Sequence, residues 1–386
     1  MKSLLRLVGW LFIGLLFGIA TAMVISALVD GTSPIDEVKA ILDKGFLPKL
    51  VSILWMSLGL LIAYLLHIAI HEGGHLVAGL LTGYRFVSYR FMNWTLISRH
   101  GRLQWRNFEL AGTGGQCLMA PPDKPMEQID TRWYNAGGVL ANILLVVIAA
   151  VLLWGLDLPK WVNEILAMMV VVGILIALMN GIPLKLSGIA NDGHNLLQLE
   201  KDIPAKQSFC NILEINARSQ EGQTYGEMPE HLFDMPQPID WENAMHVGSA
   251  LSLATWLMAQ HRWEDAYQLL TEALDNKDDI MALYQQELEN MMTQVCIAMG
   301  RDDEARQHYG KDIAKYVSRH APTQSDKQLT AMAVALALDG DRPRAENIVK
   351  ELEANREKYI HQGDVALSLD LMHWLLDNKR DNDQTT

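Results

Sequence analysis

Two histidines four residues apart, with a glutamate directly after the first, are the residues of this chain whose types and spacing could do chemistry: His71-Glu72-Gly73-Gly74-His75. On a helix, residues four apart share a face, so both imidazoles can reach one metal ion. Glu72 follows the first ligand, and its carboxylate can sit beside a metal-bound water and take its proton. The metal lowers the pKa of that water toward neutrality, so the spacing encodes a metal-assisted hydrolase, with one zinc ion per chain the default. Two histidines leave zinc a protein ligand short, since catalytic sites usually carry three plus water. Asp192 is one candidate among the acids, and it reads equally as part of an Asn191-Asp192 helix cap for a helix over 194–200. Gly73 and Gly74 weaken a helix by about 1 kcal/mol each relative to alanine. Their missing side chains let another backbone or a substrate come close.

The element that must carry this motif is an apolar run over residues 50–81. At 1.5 Å per residue, about 32 Å of helix separates Leu50 from His71, about the thickness of the hydrocarbon layer. The histidines are therefore expected near the far interface. Ionisable residues in such a run are costly to bury and are functional by default. Further apolar runs cover 7–29, 134–156 and 161–180, with Trp133, Trp154 and Trp161 at run ends as an aromatic belt would place them. Lys2 and Arg6 precede the first run, and Arg85, Arg90, Arg99, Arg102, Arg106 and Arg132 lie between the second and third. The positive-inside rule then puts the N-terminus and segment 84–132 in the cytoplasm, and four spans return the C-terminus there.

Segment 84–132 mixes alternating and apolar-rich stretches around the turn Arg99-His100-Gly101-Arg102, which predicts strands in hairpins. Its glycine cluster at 112–115 lacks the lysine and hydroxyl residue of a phosphate loop, which speaks against nucleotide binding. After the fourth run, Pro183 should break or kink the helix. Residues 201–240, with Pro204, Pro229, Pro236 and Pro238, read as a linker. From 241 a motif recurs: Met258 to Ala266, Ala298 to Ala305 and Leu338 to Ala345, with alanines about 40 residues apart, a helix–turn–helix period. An ordinary helical bundle is the plainer alternative to stacked pairs.

The expected fold is thus a mainly α membrane protein. It has four transmembrane helices, a cytoplasmic β-hairpin segment between the second and third, and a C-terminal α-helical repeat domain similar to tetratricopeptide repeats over 241–386. Half of the 386 residues are hydrophobic, but the apolar runs fill the first half and the second is polar. A net charge of −13 argues against a nucleic-acid partner. Cys117, Cys210 and Cys296 are scattered without metal spacing and read as free, buried thiols.

With Asp192 included, the stretch 50–200 resembles the site-2 protease family of intramembrane zinc metalloproteases. His71-Glu72-x-x-His75 looks like the family's zinc motif, which implies His71 and His75 as ligands and Glu72 as catalytic base. Asn180-x-x-Pro183 followed by Asp192-Gly193 resembles the family's second motif and implies Asp192 as third ligand. Gly137-Gly138-Val139-Leu140-Ala141-Asn142 is similar to the family's Gly-Pro-x-x-Asn segment, with Gly138 in place of proline. It implies Asn142 near the substrate or oxyanion, against the plainer alternative of an interhelical hydrogen bond. Residues 114–119 look like the family's β-hairpin region, where an edge strand is thought to hold the substrate extended. No PDZ-like segment is visible, and the helical repeats are an unusual attachment. His67, one turn before His71, reads as a core or supporting histidine; Asn191 and His194 flank Asp192 and are candidates to orient it, and Asn180 is a candidate to support the ligands from behind.

The resemblance implies an intramembrane endopeptidase in the cell membrane, cutting transmembrane or signal-peptide-derived segments near the cytoplasmic face. The alternative is a membrane scaffold whose repeats recruit a protein partner, with a vestigial zinc site. A histidine-box oxygenase needs many clustered histidines, and beyond His67, His71 and His75 only His100 and His194 occur in the first 200 residues. A membrane metalloprotease with a downstream glutamate ligand is a further option.

Overall fold

The computed structural model describes residues 46–108, 114–186 and 188–383, together with Ile25 and Val29. The expected span over 7–29 otherwise lies outside the described residues. The described chain is mainly helical with a small antiparallel sheet. Helix α1 (Phe46–Leu81) carries the histidine motif, and α2 (Arg132–Gly155) and α3 (Lys160–Gly181) pack against it and each other. Among the described residues, Val51–Leu81, Met126–Gly155 and Lys160–Gly181 are long and apolar enough to cross a membrane. Their outer faces expose Leu54, Leu58, Leu144, Val151 and Leu178, while Ala63, Ala149, Leu153 and Met168 are buried between them. That inverted surface suits a lipid environment.

The helices approach closely because their contact is glycine on glycine. A Cβ on Gly74 would lie 2.2 Å from the Gly137 carbonyl oxygen, and one on Gly137 would lie 2.4 Å from that of Gly74. Small residues at a crossing let membrane helices pack backbone to backbone. Gly73, by contrast, faces open space, so only Gly74 fits the expectation of a close backbone neighbour.

Between α1 and α2 lies a sheet of β1 (Arg85–Phe91), β2 (Trp94–Arg99), β3 (Arg102–Asn107) and β4 (Gly115–Ala120), in the order β3-β2-β1-β4. The expected turn closes β2 onto β3: Arg99 pairs with Arg102, and His100 and Gly101 both have positive φ, 51° and 72°. Two such residues suit the twist of a two-residue hairpin. β4 returns to pair with β1 across a register shift between Phe86 and Ser88.

After α3, the two-residue strands β5 (Lys185–Leu186) and β6 (Ile189–Ala190) lead into α4 (Asp192–Gln198). The linker expected over 201–240 is corrected in its first half, where α5 (Ile203–Gln220) is an 18-residue helix. Pro204 sits in its first turn, where a missing N–H costs nothing. Asp202 caps it, its carboxylate accepting from the Ala205 N–H at 3.0 Å. The remaining prolines lie beyond it, in an irregular stretch with two short 3-10 turns. Helix α5 lies on β4, and its Gln220 side chain donates to the Val87 and Ser98 carbonyls of the sheet.

The rest is helical: α6 (Ala244–Ala259), α7 (Trp263–Asp275), α8 (Ala282–Ala298), α9 (Asp302–His308), α10 (Lys311–His320), α11 (Ser325–Ala337), α12 (Arg342–Asn355) and α13 (Gln362–Asp383). Pairs α6–α7, α8–α9 and α11–α12 each turn at the recurring motif. The turn residues His261, Gly300 and Gly340 all have positive φ, at 54°, 75° and 67°. Ala266, Ala305 and Ala345 are fully buried one turn into the second helix of each pair. The alanine recurs because a larger side chain would hold the paired helices apart.

Candidate metal centre

Three side chains from two distant parts of the chain meet at one point. His71 and His75 stand one turn apart on α1, with their Nε2 atoms 3.2 Å apart. Asp192 places its Oδ2 3.0 Å from His71 Nε2 and 3.4 Å from His75 Nε2. A tetrahedral zinc ion with bonds of about 2.0–2.1 Å holds its nitrogen and oxygen ligands about 3.3 Å apart. The triangle has that size. Asp192 Oδ2 is buried and lacks a well-directed hydrogen-bond donor among the described residues, an orphan that an ion would satisfy. The three residues form a group that could hold a metal ion.

Local sequence explains how Asp192 arrives there. Helix α3 stops before Pro183, and the β5–β6 turn reverses the chain through Gly188, φ 88°. Asn191 locks the return. Its Oδ1 accepts from the Leu184 and His194 N–H groups at 3.1 and 3.0 Å, and its Nδ2 donates to the Met179 and Ile182 carbonyls at 2.7 and 2.6 Å. Asn191 is therefore both helix cap and clamp, and the cap and ligand readings of 191–192 hold together. Gly193 packs on the end of α3, where a Cβ would stand 2.2 Å from the Gly181 carbonyl oxygen. Burial would raise the Asp192 carboxyl, but the His71 and His75 imidazoles outweigh it and hold the group below the usual carboxylate range. That direction favours the ionised form, which a ligand carboxylate must take.

The imidazoles are seated by α2. His75 Nδ1 donates to the Tyr134 carbonyl at 2.7 Å, which leaves its Nε2 with a lone pair. The Tyr134 hydroxyl donates to the Cys117 carbonyl at 2.8 Å, and its ring stacks on Tyr84 at 5.0 Å. One turn on, Gly138 makes room for both rings: a Cβ there would lie 2.5 Å from His71 Cε1 and from His75 Nε2. Gly115 of β4 does the same for Glu72, with a Cβ position 2.7 Å from Glu72 Cγ. Glu72, His71, His75 and Asp192 line one cavity of about 540 Å³, shared with Gln116, Asn135 and Asn180.

No protein-family model, curated protein or solved structure matches this chain.

The other expected residues fall less uniformly. Asn142 is a correction: it is fully buried behind His71 and does not line the cavity. Its amide spans His67 Nδ1 at 3.0 Å and His71 Nδ1 at 3.1 Å, so neither end is open to a substrate oxygen. The cause is packing, since α2 turns this face toward α1. Asn180 lines the cavity, but its Nδ2 bonds back to the Ile176 carbonyl at 3.0 Å. His194 faces a separate small cavity with Lys185 and is not brought to Asp192. The β4 edge is partly used already, because the Cys117 carbonyl accepts from Tyr134. Burial, then the Glu72 charge, push the Cys117 thiol up to about 12, which makes it a poor ligand. Cys117, Cys210 and Cys296 are all free and buried. Sequence reasoning missed Tyr134 and Gly115. Tyr134 stands four residues before Gly138 on the same helix face, which was the available signal.

Proposed function

We propose that this chain is an intramembrane zinc endopeptidase of the site-2 protease type, cutting membrane-embedded or signal-peptide-derived peptides. The observation that carries the reading is the triangle of His71, His75 and Asp192 on a membrane-length helix, with Glu72 in the same cavity. The donor set of two imidazoles, one carboxylate and an open side suits zinc in a catalytic role. Bound there, zinc supplies a Lewis acid that lowers the pKa of a coordinated water toward neutrality.

The chain's own residues do the rest. His71, His75 and Asp192 would hold the ion, and Glu72 would take the proton of the attacking water and pass it to the leaving amine. Glu72 packs against Gly115 of β4 and lines the same cavity as the two imidazoles. The peptide must enter unwound, because a helix hides its carbonyls in hydrogen bonds, and β4 beside Glu72 is the nearest strand to align it.

The membrane arrangement of this reading has four spans, counting 7–29, with both termini cytoplasmic in the cell membrane. Contacts between the sheet and the C-terminal region support placing them on one side: Arg85 with Glu214 at 2.6 Å, Arg99 with Glu357 at 3.4 Å. The recurring turns support a repeat domain of tetratricopeptide type, open to a protein partner.

The test is a zinc count on purified protein together with cleavage of a panel of membrane-spanning peptides in vesicles. One zinc per chain and cleavage lost in Glu72→Gln, with zinc kept, are expected. Full cleavage by Glu72→Gln removes the assigned base. A zinc-loaded chain that cuts nothing across a broad panel favours the scaffold.

A further inference from the structure

We propose that His67 and Asn142 are positioning residues for the metal centre: in series they hold His71 in the tautomer protonated on Nδ1, which leaves its Nε2 lone pair for the ion. The inference rests on the metal-centre reading above and deepens it.

Buried donors and acceptors must find partners within the protein. His67 and Asn142 are both fully buried. His67 Nε2 lies 2.9 Å from the Met169 carbonyl, which can only accept, so Nε2 carries a proton. In a neutral ring Nδ1 is then an acceptor. It faces the Asn142 amide at 3.0 Å, so the group it meets must be the NH2. The amide oxygen is left for His71 Nδ1 at 3.1 Å, and that nitrogen must donate. The proton order then runs Met169 carbonyl, His67, Asn142, His71, with a free lone pair at the end.

The structure records the amide the other way round, Oδ1 toward His67 and Nδ2 toward His71. The two ends of an amide are almost the same shape, and the network decides between them. In the recorded orientation His67 must carry two protons, a buried cation between two neutral partners, which is costly. It also forces the His71 proton onto Nε2, aimed at the position the ion needs. Turning the amide over removes both conflicts and moves no other atom.

The site is built for this ring. A Cβ on Gly173 would stand 2.3 Å from His67 Cε1 and 2.6 Å from its Nε2, so only glycine at that place in α3 admits the imidazole. His75 receives the same service directly, from the Tyr134 carbonyl at 2.7 Å. His71 has no carbonyl at its Nδ1 among its hydrogen-bond partners, and Asn142 takes that part. Partners that fix a ligand's tautomer commonly change metal affinity about tenfold to a hundredfold.

The experiment measures the zinc dissociation constant of the full chain in detergent, by competition with a fluorescent chelator, on variants that elute as the wild type does. Asn142→Leu should weaken zinc binding about tenfold to a hundredfold, and His67→Leu by about tenfold. The double variant should be no weaker than Asn142→Leu, because His67 acts only through the amide. His67→Asn, whose amide can present an acceptor near the old Nδ1 position, should bind close to wild type. A merely structural His67 would give additive losses and no rescue. Zinc bound as tightly or more tightly by Asn142→Leu overturns the proposal, as does His67→Asn binding as weakly as His67→Leu. A wild-type chain that takes up no zinc overturns the metal centre as well, so the two failures are told apart.

Discussion

Gly138→Ala should destroy the metal centre although it adds only one uncharged methyl group and removes no ligand. The new Cβ would sit 2.5 Å from His71 Cε1 and His75 Nε2, and 2.6 Å from His71 Nε2. Ordinary non-bonded contact is about 3.5 Å or more, so the overlap is about 1 Å against two rings at once. Neither ring can easily retreat. His75 is tied to the Tyr134 carbonyl at 2.7 Å and His71 to Asn142 at 3.1 Å. Ligand distances in a working site hold to about 0.2 Å, so a shift of this size takes both nitrogens out of range. A misplacement of about 1 Å commonly costs about a hundredfold, and a zinc affinity at least that much weaker is expected. The control is Gly73→Ala, in the same motif, whose Cβ meets only open space and should leave zinc affinity unchanged. Competition titration with a chelator reads both. Gly138→Ala binding zinc like the wild type would refute the argument from ring crowding.

Other perturbations separate ligation from support. Asp192→Ala should lose zinc, while Asp202→Asn, at the cap of α5, should keep it; equal zinc content in the two would dismiss Asp192 as a ligand. Glu200 is half-buried. Burial would raise its carboxyl, but Lys206 and Thr131, all within 2.9 Å, outweigh it and hold the group below its usual value. A carboxyl lowered on folding stabilises above its unfolded pKa of about 4.3, and that support is lost as pH falls through the folded value. Melting curves from pH 7 downward should therefore show a steeper acid loss in wild type than in Glu200→Gln; parallel curves would count against it. Lys327 is buried and paired with Glu287 at 2.5 Å and with Asp326. Lys327→Ala strands those carboxylates and should cost about 3 kcal/mol in denaturant unfolding, the low end for a broken buried pair since Asp326 is partly exposed. An unchanged unfolding midpoint would contradict that pairing.

Much of the site was legible because a helix turns sequence spacing into geometry. His71, Glu72 and His75 needed only the helical period. Asp192 did not follow from spacing, since the residues that return it to α1 act through Asn191 and Gly193 contacts that no period encodes. Asn142 was misplaced because motif similarity says which residue is polar, not which way its helix face turns. The same limit hid α5, where Pro204 reads as a breaker by composition but lies in the first turn, which tolerates it. The recurring alanine and turn residues were visible as a period, and the structure gives them a common backbone conformation.

The crossing of Gly74 and Gly137 has a consequence for how this protein can change. What each absent methyl would strike is the main-chain oxygen of the opposite helix, at 2.2 and 2.4 Å. Trimming a neighbouring side chain cannot relieve such a clash, because every amino acid brings the same carbonyl. A suppressor screen starting from Gly74→Ala should therefore return revertants at that codon and no rescue at position 137.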